Sequence, residues 1–192
     1  IEFVKINIGE PDKTHLKKII NNRGLVIKTE KQVKALRKLC LLDLDHTLIY
    51  GSYAPSEDSE LLFQYNQYLK VYKRPFVDHF LHFIKNFYTD IIIYTTAKRD
   101  YAKLISKDLN INAIQILSRR DCSKSNNGYI KTIRKEWIDN YDQIHIIDDS
   151  PHVWDTNAYP EKEFLFIIPK EFRGSSKDLE LKSIMDTFPD AT

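Results

Sequence analysis

Five short apolar runs punctuate the chain, at residues 39–44, 91–94, 114–117, 144–147 and 164–168, each the length of a strand. Between them the apolar positions change period. Phe76, Phe80, Ile84 and Phe87 mark one helical face after Pro75, a residue suited to a first turn. Tyr101, Leu104 and Ile105 mark a second face, and Ile133, Trp137 and Ile138 a third, weaker one. Strands alternating with helices predict right-handed βαβ units. The expected fold is therefore α/β: a three-layer, Rossmann-like parallel sheet of about five strands with helices on both faces.

Two stretches fall outside this alternation. Residues 1–38 read as an accessory flank with one helix around 16–20 and another over 29–39, and the main domain is expected over 39–192. An insert at about 50–73 opens with the turn-prone Gly51-Ser52-Tyr53-Ala54-Pro55-Ser56. It continues with Leu61-Leu62-Phe63 and Tyr68-Leu69-Lys70-Val71-Tyr72, a pattern that fits a small β-hairpin or a plain loop. Residues 177–188 are expected to close the domain as a helix.

Composition narrows the class without naming a partner. The 192 residues are 42% hydrophobic and 29% charged, as in an ordinary soluble domain. The 29 basic and 27 acidic residues leave a net charge of +2, which points to neither nucleic acid nor an acidic membrane. Two cysteines, Cys40 and Cys122, make no disulfide framework and suggest a reducing compartment, cytoplasm or nucleus. No apolar run reaches membrane-spanning length, and the first residues lack the pattern of a signal peptide. The chain starts at Ile1 without a Met, so residues upstream are expected. A monomer is the default.

The candidate chemistry lies where the strands end, since ligands of parallel sheets bind beyond the strands' carboxyl ends. The first run passes straight into Asp43-Leu44-Asp45-His46-Thr47-Leu48. Asp43 is the candidate nucleophile toward phosphorus and Asp45 the candidate general acid and base. The same pair would also suit an ordinary strand-to-turn junction. The second run ends in Thr95-Thr96, whose hydroxyls can donate to a phosphoryl oxygen, and the fourth in Asp148-Asp149. Four acids on one edge call for Mg²⁺ and a lysine. Lys131 is the candidate, though one lysine among many is also well explained as a surface charge.

Taken together, Asp43-Leu44-Asp45-His46-Thr47-Leu48, Tyr94-Thr95-Thr96-Ala97, Lys131 and Asp148-Asp149-Ser150-Pro151 resemble the four motifs of the haloacid dehalogenase superfamily of phosphatases. The similarity is closer to the small C-terminal-domain phosphatases, also called NLI-interacting-factor-like. Lys73-Arg74-Pro75-Phe76-Val77-Asp78, Tyr101-Ala102, Arg119 and Cys122 support that branch. The resemblance implies Asp43 as nucleophile and metal ligand, and Asp45 as acid/base with its carbonyl on Mg²⁺. It further implies Thr95 on the phosphoryl group, Lys131 neutralising the phosphoaspartate, Asp149 as final metal ligand with Asp148 beside it, and Arg119 on the substrate phosphate or its flank.

The implied substrate is a protein or peptide phosphorylated on serine or threonine. Tyr53, Tyr65, Tyr68 and Tyr72 could wall its path, or serve simply as strand residues of a hairpin. Two features depart from the family. Position 46 is His where relatives often carry Glu or Gln, and the insert reads as shorter than a three-stranded insertion, which weakens the peptide reading. The alternatives are a small-molecule or nucleic-acid 3′-end phosphatase of the same fold, or a non-catalytic phosphate-binding scaffold. Other signals fail: the loop after Cys122 lacks the arginine of a thiol-based phosphate cradle, and His79 and His82 lack further zinc ligands.

Overall fold

The structure, a computed structural model, describes residues 4–7, 27–30, 35–56, 58–126 and 128–188. It divides into two compact units, Ile1–Ala35 and Leu36–Thr192. In the first, β1 (Val4–Asn7) and β2 (Ile27–Glu30) pair in parallel.

The second unit begins with β3 (Lys38–Leu42), followed by β4 (Ile49–Ser52), β5 (Leu61–Gln64) and β6 (Lys70–Lys73). Next come α1 (Val77–Phe87), β7 (Asp90–Tyr94), α2 (Arg99–Asp108) and β8 (Gln115–Leu117). The chain continues through β9 (Ser123–Ser125), β10 (Gly128–Thr132), α3 (Lys135–Asn140) and β11 (Gln143–Ile147). It closes with β12 (Trp154–Asp155), β13 (Leu165–Ile167) and α4 (Glu180–Asp186).

The five runs read from the sequence become one parallel sheet in the order β13-β11-β3-β7-β8. The central strands are mostly apolar because both faces are covered, with His145 of β11 a buried polar exception. Alternation sorts their side chains: Cys40 and Leu42 join one core with Phe80, Ile84, Tyr101, Ile105 and Leu181, while Leu39 and Leu41 join another with Trp137, Ile144, Ile146 and Trp154. The first face packs α1, α2 and α4, and the second packs α3.

Register fixes where each strand delivers its next residue. Leu42 pairs with Ile147 on one side and Ile93 on the other. Asp43 and Asp148 therefore leave the sheet side by side, and Thr95 lies one residue beyond Tyr94 on the neighbouring strand. The Asp43 amide donates to the Ile147 carbonyl at 2.9 Å and the Thr95 amide to that of Leu117 at 3.0 Å, holding both at the edge.

Two expectations need correction. The described residues of the helix expected over 29–39 are not helical: Thr29 and Glu30 lie in β2, residues 35–37 have no regular structure, and β3 starts at Lys38. Tertiary partners hold that lead-in extended, since the Arg37 amide donates to Asp142 at 2.7 Å and the Arg37 carbonyl accepts from the Asp142 amide at 2.9 Å. The helix expected around 16–20 lies outside the described residues. The insert is neither a simple hairpin nor a loop but a three-stranded antiparallel sheet in the order β4-β6-β5. Its first strand, hidden in Ile49-Tyr50-Gly51-Ser52, is too short and glycine-containing to stand out as an apolar run. No helix among the described residues is long and apolar enough to cross a membrane.

Candidate active site

Lys131 organises the candidate site. It arrives not from the main sheet but from β10, which pairs with β9 and β12 in a separate three-stranded sheet. Its side chain is 1% exposed, and its Nζ donates to Asp43 Oδ1 at 2.6 Å and to Asp148 Oδ2 at 2.7 Å. The indole of Trp154, paired beside it on β12, donates from Nε1 to the same Asp148 oxygen at 2.8 Å. Burial opposes the charge on Lys131, yet the two carboxylates outweigh it and hold the lysine above its ordinary pKa. Burial pushes the Asp43 carboxyl upward, with Lys131 working against it. Contacts this short to a lysine held above its ordinary pKa are charge-assisted.

Asp43, Asp148 and Asp149 each bring an oxygen within 4.8 Å of the others, a donor set of the kind that holds a hard divalent cation. Asp149 is oriented by hydroxyls: Thr47 Oγ1 donates to its Oδ1 at 2.9 Å and Ser150 Oγ to its Oδ2 at 3.1 Å. The Thr47 hydroxyl also accepts from the Asp149 amide at 3.1 Å. The Asp45 carboxylate is directed elsewhere and accepts from the Tyr101 hydroxyl at 3.2 Å. Burial raises its pKa, which favours the protonated form that a general acid needs.

Thr95 is buried, and its Oγ1 accepts from the Ala97 amide at 3.1 Å. Arg119 is anchored by Nε donating to the Thr96 carbonyl at 2.8 Å, with its guanidinium 5.1 Å from the Tyr129 ring centroid. These contacts bring Thr96 and Arg119 together through the Thr96 backbone. Tyr53 sits on the insert at 79% exposure. His46 takes a left-handed conformation, φ 63°, in the tight turn after Asp45, and its Nδ1 donates to the Phe172 carbonyl at 3.0 Å. His79 and His82 are exposed on α1.

Sequence reasoning assigned no site chemistry to Tyr101, Trp154, Thr47 or Arg74. Thr47 stood inside the first motif, and its hydroxyl one turn beyond the aspartates was an available signal. Trp154 carried none, because its partner strand β10 is set by tertiary pairing.

A parallel sheet with carboxylates at neighbouring strand ends and a buried lysine between them is the arrangement the resemblance to the haloacid dehalogenase superfamily implies. Within it, the chain belongs to the NLI interacting factor-like phosphatase family, whose profile matches residues 38–191. It is similar to "CTD small phosphatase-like protein 2" of Dictyostelium discoideum, 34% identical over 120 residues, which covers 58% of this chain and 20% of that protein. Similarity also extends to "CTD nuclear envelope phosphatase 1B" of Danio rerio (27% identical, 67% of this chain, 59% of that one). "Phosphatase Herzog" of Drosophila melanogaster is 28% identical, over 79% of this chain and 43% of its own. The chain thus spans less than two thirds of each of these relatives. Among solved structures, Fcp1, described as an essential RNA polymerase II CTD phosphatase, aligns with a TM-score of 0.49 and 22% identity, over 79% of this chain and 47% of that one.

Proposed function

We propose that this domain is a Mg²⁺-dependent phosphatase that works through an aspartyl phosphate on Asp43. The observation that carries the reading is Lys131, buried between Asp43 and Asp148 beside the three-carboxylate cluster. Asp43 attacks phosphorus while the ester P–O bond breaks, and the Asp45 carboxyl gives its proton to the leaving oxygen. Water then attacks the same phosphorus as Asp45 takes its proton, and the bond to Asp43 breaks, releasing phosphate. Asp43, Asp148 and Asp149, with the Asp45 carbonyl, would hold Mg²⁺, which supplies charge neutralisation for the phosphoryl group. Lys131 balances charge that gathers on Asp43 and its phosphoryl group, Thr95 donates to a phosphoryl oxygen, and Arg119 holds the substrate phosphate or its flank.

For substrate, the reading favours phosphoserine or phosphothreonine in a protein. The insert supports it: a three-stranded platform with Tyr53 and Tyr68 exposed resembles a surface for an extended chain more than a closing lid. The names of the relatives, CTD and nuclear envelope phosphatases, agree with that class.

Asp43→Asn should abolish Mg²⁺-dependent hydrolysis of p-nitrophenyl phosphate, by about 10⁴-fold or more in kcat. Activity retained in that variant would overturn the mechanism. Comparing kcat/KM across phosphopeptides, sugar phosphates and nucleotides checks the substrate class, and preference for the metabolites would reject it.

A further inference from the structure

Away from the reacting groups, Arg74 is a charged side chain buried to 1% exposure just before α1. Its guanidinium has five N–H donors. Each has an acceptor: Nε donates to Asp178 Oδ1 at 2.9 Å, and Nη2 to Asp178 Oδ2 at 3.0 Å and to the Lys170 carbonyl at 2.6 Å. Nη1 serves the Thr47 carbonyl at 2.9 Å and the His46 carbonyl at 3.3 Å. Two of the five bonds thus fasten the turn that follows Asp43 and Asp45, and the other three fasten segment 170–178.

That segment lies across the turn as a strap. The Phe172 amide donates to the His46 carbonyl at 2.8 Å, and the fully buried Phe172 ring packs 5.4 Å from the guanidinium. Gly174, at φ 81°, lets the strap pass Tyr50, because a Cβ there would come within 2.8 Å of Tyr50 Cδ1. The Gly174 carbonyl accepts from the hydroxyls of Ser56 and Ser59 on the insert.

We propose that Arg74, clamped by Asp178, is a positioning residue for the metal ligand Asp149, acting through Thr47. The path is short. Arg74 holds the Thr47 carbonyl, and the Thr47 hydroxyl both donates to the Asp149 carboxylate and accepts from its amide. Partners that orient a metal ligand typically change metal affinity when removed. Lysine cannot replace this arginine, because three donors on one nitrogen cannot serve four residues in a planar fork. The inference rests on the metal-dependent phosphatase reading above.

The test uses the full chain with Arg74→Lys, Asp178→Asn and Thr47→Val, and with Ile105→Val as a core-loosening control remote from the network. Folding is checked by circular dichroism. Mg²⁺ binding is read from the rise in thermal midpoint on Mg²⁺ titration and from calorimetry, and kcat and KM are read on p-nitrophenyl phosphate. In the three network variants, the Mg²⁺ concentration for half-saturation should rise about tenfold and kcat should fall, with KM changing less than twofold. Ile105→Val should leave half-saturation unchanged.

Folded network variants that bind Mg²⁺ within twofold of the wild type would overturn the positioning role. Should Arg74→Lys not fold, Asp178→Asn and Thr47→Val decide the matter by the same criterion. A wild type that neither binds Mg²⁺ nor turns over the aryl phosphate would reject the site reading and this inference with it, whereas an active wild type with unaffected variants rejects this inference alone.

Discussion

The two small three-stranded sheets, β12-β10-β9 and β4-β6-β5, are alike in size and opposite in chemistry. The first carries Lys131 inward, with Trp154 beside it, into a cluster of buried charge. The second presents Tyr53, Leu61 and Tyr68 outward while Phe63 and Tyr65 pack edge-on against Tyr101. One sheet completes the machinery, and the other forms a surface. Tyr101 joins the insert to the acidic edge of the main sheet, since its hydroxyl reaches Asp45 and its ring rests on the insert. On the proposed reading, chemistry that every phosphate ester shares would be separated from the surface that selects among esters.

Lys131→Met gives the largest expected effect outside the nucleophile itself. Removing the cation leaves two buried carboxylates without their partner, a loss of about 3–5 kcal/mol in unfolding free energy. The deficit should depend on pH. Burial already pushes Asp43 up, and without Lys131 nothing beside it opposes that push, so the folded form binds protons that the unfolded chain has released. Stability of the variant in metal-free buffer should therefore fall as pH rises above the ordinary carboxylate range, and urea denaturation at several pH values measures the slope. A variant as stable as the wild type at neutral pH would break the contrast between the sheets.

Tyr101→Phe should act next. It removes the hydroxyl that orients Asp45 and keeps the ring against Phe63 and Tyr65, so kcat should drop about tenfold, as expected for loss of one hydrogen bond that holds the general acid. KM for p-nitrophenyl phosphate should hold within twofold, and steady-state kinetics separate the two parameters. Tyr53→Ala should be the mildest, with kcat/KM on the aryl phosphate unchanged within twofold and KM on a phosphopeptide raised about fivefold. Stability should move by no more than about 0.5 kcal/mol, as for an exposed position, and equal effects on both substrates would remove the insert from specificity.

Much of this was open to inspection before any coordinates. The apolar run into Asp43 showed a strand end, and Ile144-His145-Ile146-Ile147 into Asp148 showed another, because a strand covered on both faces is mostly apolar. Arg37 and Lys38 misled: lysine-rich spacing suggested a helix, but contacts with Asp142 and Thr89, distant in sequence, hold this stretch extended. The insert misled for a related reason, since its first strand is short and finds its partner β6 only beyond β5.

By itself, then, the sequence determined the order of the main sheet's strands with their helices and the residue types gathered at its edge, which follow from local periodicity, while its short motifs carried the resemblance to the family. Only the tertiary structure decided that β3 lies between β11 and β7, that Lys131 enters from a second sheet, and that Arg74 reaches both Thr47 and Asp178. The reason is physical. Periodicity records which side of an element faces away from water, whereas a buried charge is tolerated only where partners from distant parts of the chain converge on it, and that convergence exists only in the folded molecule.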